Sequence, residues 1–344
     1  MSRWRFAVGD NEDVVISTRI RLARNIKGIK FTNSFSLEEA EKVNKTISEA
    51  VEKIYPGEYK HLNLKDIKDY SKVLMENHLI SPEMIKNIEF SSFCLSQDES
   101  VNILINEEDH LRLQVLKPGQ AELSAFNRAI NIVKSLEKEI DFSYHKEFGY
   151  LTSCPTNTGT GLRASVMMHL PALKHSGNMP GLIDSLGKLG LTVRGIYGEN
   201  SSSEGDIFQI SNQRTLGMQE EDVIYKLRLL VNKIIENERQ ERDKFLRNYN
   251  ELFKDRVFRS LGTLKYAKLL PEEEALTCLS FIRVGICQKI YEGLNIKEVT
   301  DLMFNVQKNN ILKYKKDTGL IGTEDSVRSE YIANYFKEVE RHGE

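Results

Sequence analysis

Six arginines fall within five short, widely separated motifs: STRIR (Arg19, Arg21), NEEDHLR (Arg112), CPTNTGTGLR (Arg163), RGIYGEN (Arg194) and ISNQR (Arg214). A guanidinium stays charged at any working pH and makes paired hydrogen bonds to phosphate oxygens, so a group of them brought together would hold a polyphosphate. Among them lies the acidic run Glu107, Glu108 and Asp109. Carboxylates beside a phosphate site can bind or deprotonate something cationic. The combination points to phosphoryl transfer onto a basic acceptor. A guanidinium acceptor is protonated in water, with a pKa above about 12, and in that form its nitrogen is not nucleophilic. One carboxylate can align its fork while another takes the proton as attack begins.

Each feature has a plainer reading. A lone arginine is ordinarily a solvated surface residue, and an acidic run is ordinarily a solvated loop. The plainer reading weakens for the arginines because several lie on the polar face of apparent strands. VVISTRIRL alternates, placing Arg19 and Arg21 on one face and Ile20 and Leu22 on the other. LRASVMMHLP alternates too, with Arg163, Ser165, Met167 and His169 on one face. The acidic run follows the apolar-rich VNILI at a strand edge, where alternation would put Glu108, His110 and Arg112 on one side.

The positioning elements follow from periodicity. SLEEAEKVNKTISEAVEKIY reads as a helix capped by Ser36, with Glu39 completing a capping box. Ser81-Pro82 opens another helix. SFCLSQDESVNILINEEDHLRLQVL reads as a strand pair joined by a polar turn, and GQAELSAFNRAINIVKSLEKEI as a helix. PGLIDSLGKLG is a short helix closed by Gly190, LTVRGIYG and DIFQISNQR are strands, and GENSSSEGD between them is a loop. From about Glu220 only helical periodicity remains. Strands mixed with helices, then helices alone, predict an α+β domain over residues 13–245 and an all-α domain over 246–344.

The 344 residues carry a net charge of −2, which argues against a mainly electrostatic nucleic-acid binder, so no direct nucleic-acid binding is expected. No apolar run has the length of a membrane span and the N-terminus lacks a signal-peptide core, so a cytoplasmic protein is expected. Cys94, Cys154, Cys278 and Cys287 are far apart and suit reduced thiols, and the histidines have no zinc spacing, so no metal is assigned to side chains. GTGLRAS lacks the lysine and spacing of a phosphate loop, leaving a nucleotide to guanidiniums and loop amides. Cys154, beside Pro155, is an inert thiol or, among cations, a thiolate that pairs with a substrate guanidinium. Glu199 is plain loop polarity or a second carboxylate on a cationic substrate. His78 stacks on a base or is an ordinary helix-end histidine.

Taken together, STRIRLARN, NEEDHLR, CPTNTGTGLRAS, VRGIYGEN and DIFQISNQRTLG, in this order between Asp13 and Gln240, resemble the motif set of the phosphagen (guanidino) kinases, which include creatine and arginine kinase. The resemblance implies an antiparallel sheet flanked by helices, with ATP and Mg2+ held by an arginine cluster. It implies that Arg19, Arg21, Arg112, Arg163 and Arg194 contact phosphates, and that Glu108 with Glu107 handles the acceptor near Cys154. Small-molecule guanidino kinases cover the acceptor with a helical N-terminal domain. Here a short segment precedes STRIR and the helical domain follows the catalytic one, an arrangement similar to the bacterial protein-arginine kinase branch. An uncovered site is expected to admit an arginine side chain on a polypeptide.

For that branch the resemblance further implies a nucleotide site built from Ser17, Thr18, Arg19, Ile20 and Arg21, from His78 and Arg112, from Arg163, Ala164, Ser165, Val166 and Met167, and from Arg194, Gly195, Ile196, Tyr197, Gly198 and Glu199. It implies a homodimer through the C-terminal domain and an activator of McsA type. It also implies a stress-gene repressor of CtsR type as a target, and delivery of marked proteins to a Clp ATPase/protease. The branch carries R-D-x-x-R-A as a phosphoarginine pocket; this chain has Glu324-Asp325-Ser326-Val327-Arg328-Ser329. Asp325 and Arg328 remain, but a glutamate where the first arginine belongs would repel a phosphate. Two alternatives stay open: a kinase of free arginine or a related small guanidino compound, and a non-catalytic adaptor that binds marked proteins.

Overall fold

The alternation in VISTRIRLAR makes β1 (Val15–Arg24) a strand with Ile20 and Leu22 fully buried beneath it, and β1 becomes the centre of the domain. The structure is a computed structural model that describes Trp4, residues 7–195 and residues 203–342. After β1 the chain runs through α1 (Leu37–Ile54), β2 (Tyr59–Asn63), α2 (Ser71–Glu76), α3 (Pro82–Lys86), β3 (Ser92–Ser96), β4 (Val101–Ile105), β5 (Leu111–Pro118) and α4 (Glu122–Leu136). It continues through β6 (Tyr144–His145), β7 (Gly149–Tyr150), β8 (Leu162–His169), α5 (Pro171–His175), α6 (Met179–Lys188), β9 (Leu191–Gly195) and β10 (Ile207–Asn212). The helical part comprises α7 (Glu220–Tyr266), α8 (Glu272–Cys287), α9 (Ile296–Asn305), α10 (Lys308–Thr318) and α11 (Glu324–His342).

Eight strands form one antiparallel sheet in the order β2-β3-β4-β5-β1-β8-β10-β9. The expected capping box is present: Ser36 accepts from the Glu39 amide and Glu39 returns a bond to the Ser36 amide. Ser81 caps α3 with Pro82 in its first turn. The predicted strand pair over Ser92–Leu116 is a meander of three, because NEEDH is itself a turn between β4 and β5.

One face of the sheet is covered by α1, α4 and the first half of α7. Val43, Ile47, Ala125, Ala129, Val223, Leu227 and Val231 pack there on Ile20, Leu22, Leu113, Ala164 and Val166. Each fully buried aliphatic side chain contributes about 1.5–3 kcal/mol, and this continuous core makes the register hard to shift. The other face is partly covered. A small cluster of Leu64, Ile80, Met84, Phe93 and Leu104 closes it over β3 and β4. At the far end the C-terminal helices bury Ile16, Met167 and Ile207. The long α7 departs from helical geometry at Tyr249 (φ −139°, ψ 34°), where it leaves the sheet for the helical core.

A directed hydrogen-bond chain joins the two parts. Arg283 of α8, fully buried, donates to the Asp13 and Glu12 carbonyls and to Nδ1 of His169 (3.0 Å). Ser280 donates to Asp206, so Nε2–H of His169 donates to the Ser280 oxygen (2.8 Å). The ring is therefore neutral, consistent with a pKa driven well below the usual value by burial and then by Arg283 and Arg242. Arg283→Ala would strand these acceptors, and we expect a loss of about 2–4 kcal/mol, read as a lower urea midpoint of unfolding.

Candidate active site

The sheet register assembles the arginines. Arg21 of β1 lies directly opposite Arg163 of β8, and Arg19 opposite Ser165. On the other flank Arg21 pairs with Gln114 and Ala23 with Arg112 of β5. Arg194 of β9 is in register with Gln209 of β10, which in turn faces Met167. Like charges directly opposite in a sheet repel. Burial, then the charges of Arg163 and Arg112, push Arg19 down to about 10. Arg21 is depressed well below the usual value, by burial and then by Arg19, Arg112 and Arg163. Arg163 is lowered by burial, then by Arg194 and Arg112. Arg19 donates to Gln209 (2.6 Å), but Nε of Arg21 and Nε of Arg163 are buried without a hydrogen-bond partner. A cationic cluster with unused donors fits a polyanion such as a triphosphate.

The acidic turn sits at the edge of this cluster, and its three carboxylates have different tasks. Glu107 is buried: one oxygen accepts from Arg112 (2.8 Å) and Ser81 (2.6 Å), the other from the Glu108 amide (2.6 Å). Glu108 is half-buried and accepts from Arg112 (2.6 Å) and Asn157 (3.3 Å) through the same oxygen, Oε2. Asp109 is fully buried and accepts from Asn25 and from the Ser153 amide, both at 2.7 Å, which ties the cysteine loop to the end of β1. Burial lowers the pKa of Arg112, but Glu107 and then Glu108 and Asp109 outweigh it and the net shift is upward. The expectation that His110 shares a side with Glu108 and Arg112 is corrected. The turn breaks the alternation, and the His110 ring is buried between the Ile26 amide and the Lys30 carbonyl.

Cys154 is half-buried, with Sγ 3.0 Å from the Thr156 hydroxyl. The following TNTGTG segment is pressed against the sheet. At Gly161 (φ +65°) a Cβ would lie 2.6 Å from the Ala23 carbonyl. His78 ends α2 at φ +59°, a position where glycine is usual, with Leu79 N bonded to Leu74 O and His78 N to Met75 O. Its ring lines a narrow cleft with Trp4, Ser17, Arg19, Ser165 and Met167, and its Nε2 is buried without a partner.

Of the other residues expected at the nucleotide site, Thr18, Ile20, Ala164 and Val166 have fully buried side chains on the opposite face; Thr18 bonds the Gly119 carbonyl. They reach the site only through their backbone. Gly195 ends β9, while Ile196, Tyr197, Gly198 and Glu199 lie outside the described residues. Arg214 is exposed just past β10. In α11, Arg328 is buried and committed to the Val306 and Leu270 carbonyls and to Asp325 (2.7 Å), so it braces the helical domain from within.

Sequence reasoning passed over Gln209, Ser81, Asn157 and Arg24. Arg24 had a readable sign: it shares strand parity with Ile20 and Leu22, so a charge sits on the core side of β1. Its guanidinium stacks 3.4 Å from the Tyr150 ring and holds the Thr160 carbonyl, fastening the TNTGTG segment. The other three are separated from their partners by long stretches of chain and left no such trace.

Residues 39–241 match the C-terminal catalytic domain of the ATP:guanido phosphotransferases, and residues 250–344 match the protein-arginine kinase McsB C-terminal domain. The chain is 40% identical to a protein-arginine kinase of Pelotomaculum thermopropionicum, over 91% of this chain and 89% of that one. It is 39% identical to the protein-arginine kinase of Bacillus pumilus, over 100% and 96%. Among solved structures it resembles the duplicated taurocyamine kinase of Schistosoma mansoni with bound transition-state-analogue components (TM-score 0.59, 27% identity, 71% of this chain and 35% of that one). It also resembles a lombricine kinase (TM-score 0.57, 27% identity, 67% and 68%).

His78 gives a pH prediction. Its pKa is lowered from 6.5 to about 3, by burial and then by Arg19 and Arg21. Between those values the unfolded chain binds a proton that the folded chain does not. This contribution is therefore complete above pH 6.5 and shrinks as pH falls toward 3. His78→Asn removes the titrating ring and tolerates the left-handed backbone. Urea unfolding at pH 6.5 and pH 5 should show the wild type losing about 2 kcal/mol more than the variant.

Proposed function

Because this chain belongs to the ATP:guanido phosphotransferase family and carries the C-terminal domain of the protein-arginine kinases, we infer that it is an ATP-dependent protein-arginine kinase. It transfers the γ-phosphoryl group of ATP to guanidinium groups of arginine side chains in proteins. The observation that carries the assignment of the site is the register pair Arg21–Arg163, whose unused buried donors lie beside an acidic turn bridged by Arg112.

We assign the triphosphate to Arg19, Arg21, Arg112, Arg163 and Arg194. The family's Mg2+ supplies charge neutralisation on the phosphate oxygens. Among the described residues no three carboxylates, histidines or cysteines are grouped to hold a metal, so the ion is assigned to the nucleotide. Ser17, Ser165, Met167 and His78 form the wall on which the rest of the nucleotide would rest. Glu108 has Oε2 on Arg112 and Asn157, and Oε1 is assigned to the acceptor. As the new N–P bond forms and the bond to the leaving ADP oxygen breaks, the guanidinium proton passes to Glu108. Glu107 is too enclosed to touch an acceptor and instead orients Arg112. On the family resemblance Cys154 is proposed to act on the acceptor's charge, as is Glu199, which lies outside the described residues.

We also propose the division into residues 13–245 and 246–344, supported by the break of α7 at Tyr249. On the resemblance set out above, we propose a cytoplasmic homodimer formed through the helical domain, an activator of McsA type, a CtsR-type repressor among the targets, and a Clp ATPase/protease as the destination of marked proteins. Among the described residues no helix is long and apolar enough to cross a membrane.

Purified protein incubated with Mg·ATP and an arginine-rich protein at mildly basic pH should yield acid-labile phosphate on arginine by mass spectrometry. Phosphate on free arginine alone would move the assignment to a small-molecule kinase. Glu108→Gln should lower kcat by about a hundredfold or more while ATP affinity stays near wild type. Full activity in that variant would remove Glu108 as the base.

A further inference from the structure

We propose that Glu76 and Ser81 are positioning residues for the transfer: the C-terminal helical domain grips Glu76, and the strap from Glu76 to Ser81 sets Glu107 and, through it, Arg112 and Glu108. The proposal rests on the reading of Glu107, Arg112 and Glu108 as the reacting centre. It goes beyond that reading by making the helical domain part of the centre.

The grip is a helix cap supplied from another domain. The N-cap residue of α10, Gln307, makes no side-chain cap; Glu272 of α8 takes the Lys308 amide (2.9 Å), and the next two amides are left to another partner. The first amides of a helix are unpaired donors carrying partial positive charge, which favours a carboxylate. Here the Glu76 carboxylate accepts from the amides of Asn309 and Asn310, both at 3.0 Å, and from both asparagine side chains. Asn77 adds a bond to Asn310 (3.2 Å), and the His78 ring meets Phe304 of α9 edge-on.

The strap is then laid across the site face of the sheet. Gln114 of β5 holds the His78 carbonyl (2.6 Å), and Asn102 of β4 holds the Leu79 carbonyl (2.6 Å). Those two strand positions are direct partners, so the strap has one register on the sheet. It ends at Ser81, whose hydroxyl donates to Glu107 at 2.6 Å. Glu107 takes one fork of Arg112, and Glu108 takes the other. The links from Glu76 through Gln114, Asn102 and Ser81 to Glu107 are directional hydrogen bonds. A shift of α10 would therefore be felt at the carboxylate pair, and a helical-domain rearrangement would tune the rate.

Steady-state kinetics on the full chain test this. Ser81→Ala and Asn310→Ala should each lower kcat about tenfold, with KM for Mg·ATP within about threefold of wild type. Ser81→Thr, which keeps the hydroxyl, should restore most of the rate. The double variant should lose no more than the worse single one, because both act through one strap. Should Asn310→Ala fail to fold, Glu76→Gln is read in its place, since it keeps the shape but turns one acceptor into a donor. Wild-type kcat in Asn310→Ala or Glu76→Gln, or losses that multiply to about a hundredfold in the double variant, would overturn the proposal. Full kcat in Glu107→Gln would instead strike down the centre on which it rests.

Discussion

The constraint on which this structure depends is the concentration of positive charge on one face of a sheet. Arg21 and Arg163 face each other in register, with Arg19, Arg112 and Arg194 around them. Such a face would spread apart if nothing else held the strands. It is held because the opposite face is mostly apolar, with Ile20, Leu22, Leu113, Ala164 and Val166 all fully buried. A slip of one residue would turn the arginines into that layer and the aliphatics out of it, which the hydrophobic term forbids. The fold thus holds a charge arrangement that is unfavourable on its own, which is why we assign a polyphosphate to it.

Beside it, three adjacent carboxylates take three different environments from one short turn. Asp109 is spent on structure, joining Asn25 and the Ser153 amide, and burial raises its pKa against those two donors. Glu107 is enclosed and faces Ser81 and Arg112, while Glu108 keeps an exposed edge. Adjacent side chains in a turn point in different directions, so the run divides into a clamp, an enclosed carboxylate that holds Arg112, and an accessible carboxylate. In the mechanism proposed above, this division lets one guanidinium, Arg112, bridge both carboxylates while it reaches the phosphates.

Two sets of directional contacts seat the helical domain on the catalytic domain. One is the oriented chain from Arg283 through His169 and Ser280 to Asp206, at the end of β8 and just before β10. The other is the cap of α10 by Glu76. Both are polar and directional, whereas Ile16, Met167 and Ile207 supply apolar contact that is not. Directional contacts specify a relative position and the apolar ones supply adhesion, so the helical domain is seated in one orientation against the arginine face.

By itself the sequence determined the strands, most helices and which arginines share the polar face of the sheet, because period-two and period-3.6 patterns encode which side of an element meets the core. The capping box at Ser36 and the helix start at Ser81 were likewise local and readable. The motifs also carried the kinase chemistry and the order of the two domains. Tertiary structure alone decided which carboxylate is accessible, that His110 turns inward, that Arg328 is consumed within its own domain, and that Glu76 caps a helix more than two hundred residues away. The reason is physical: periodicity records burial along one element, while a hydrogen bond between distant segments depends on register, turn geometry and packing that no single stretch of chain contains.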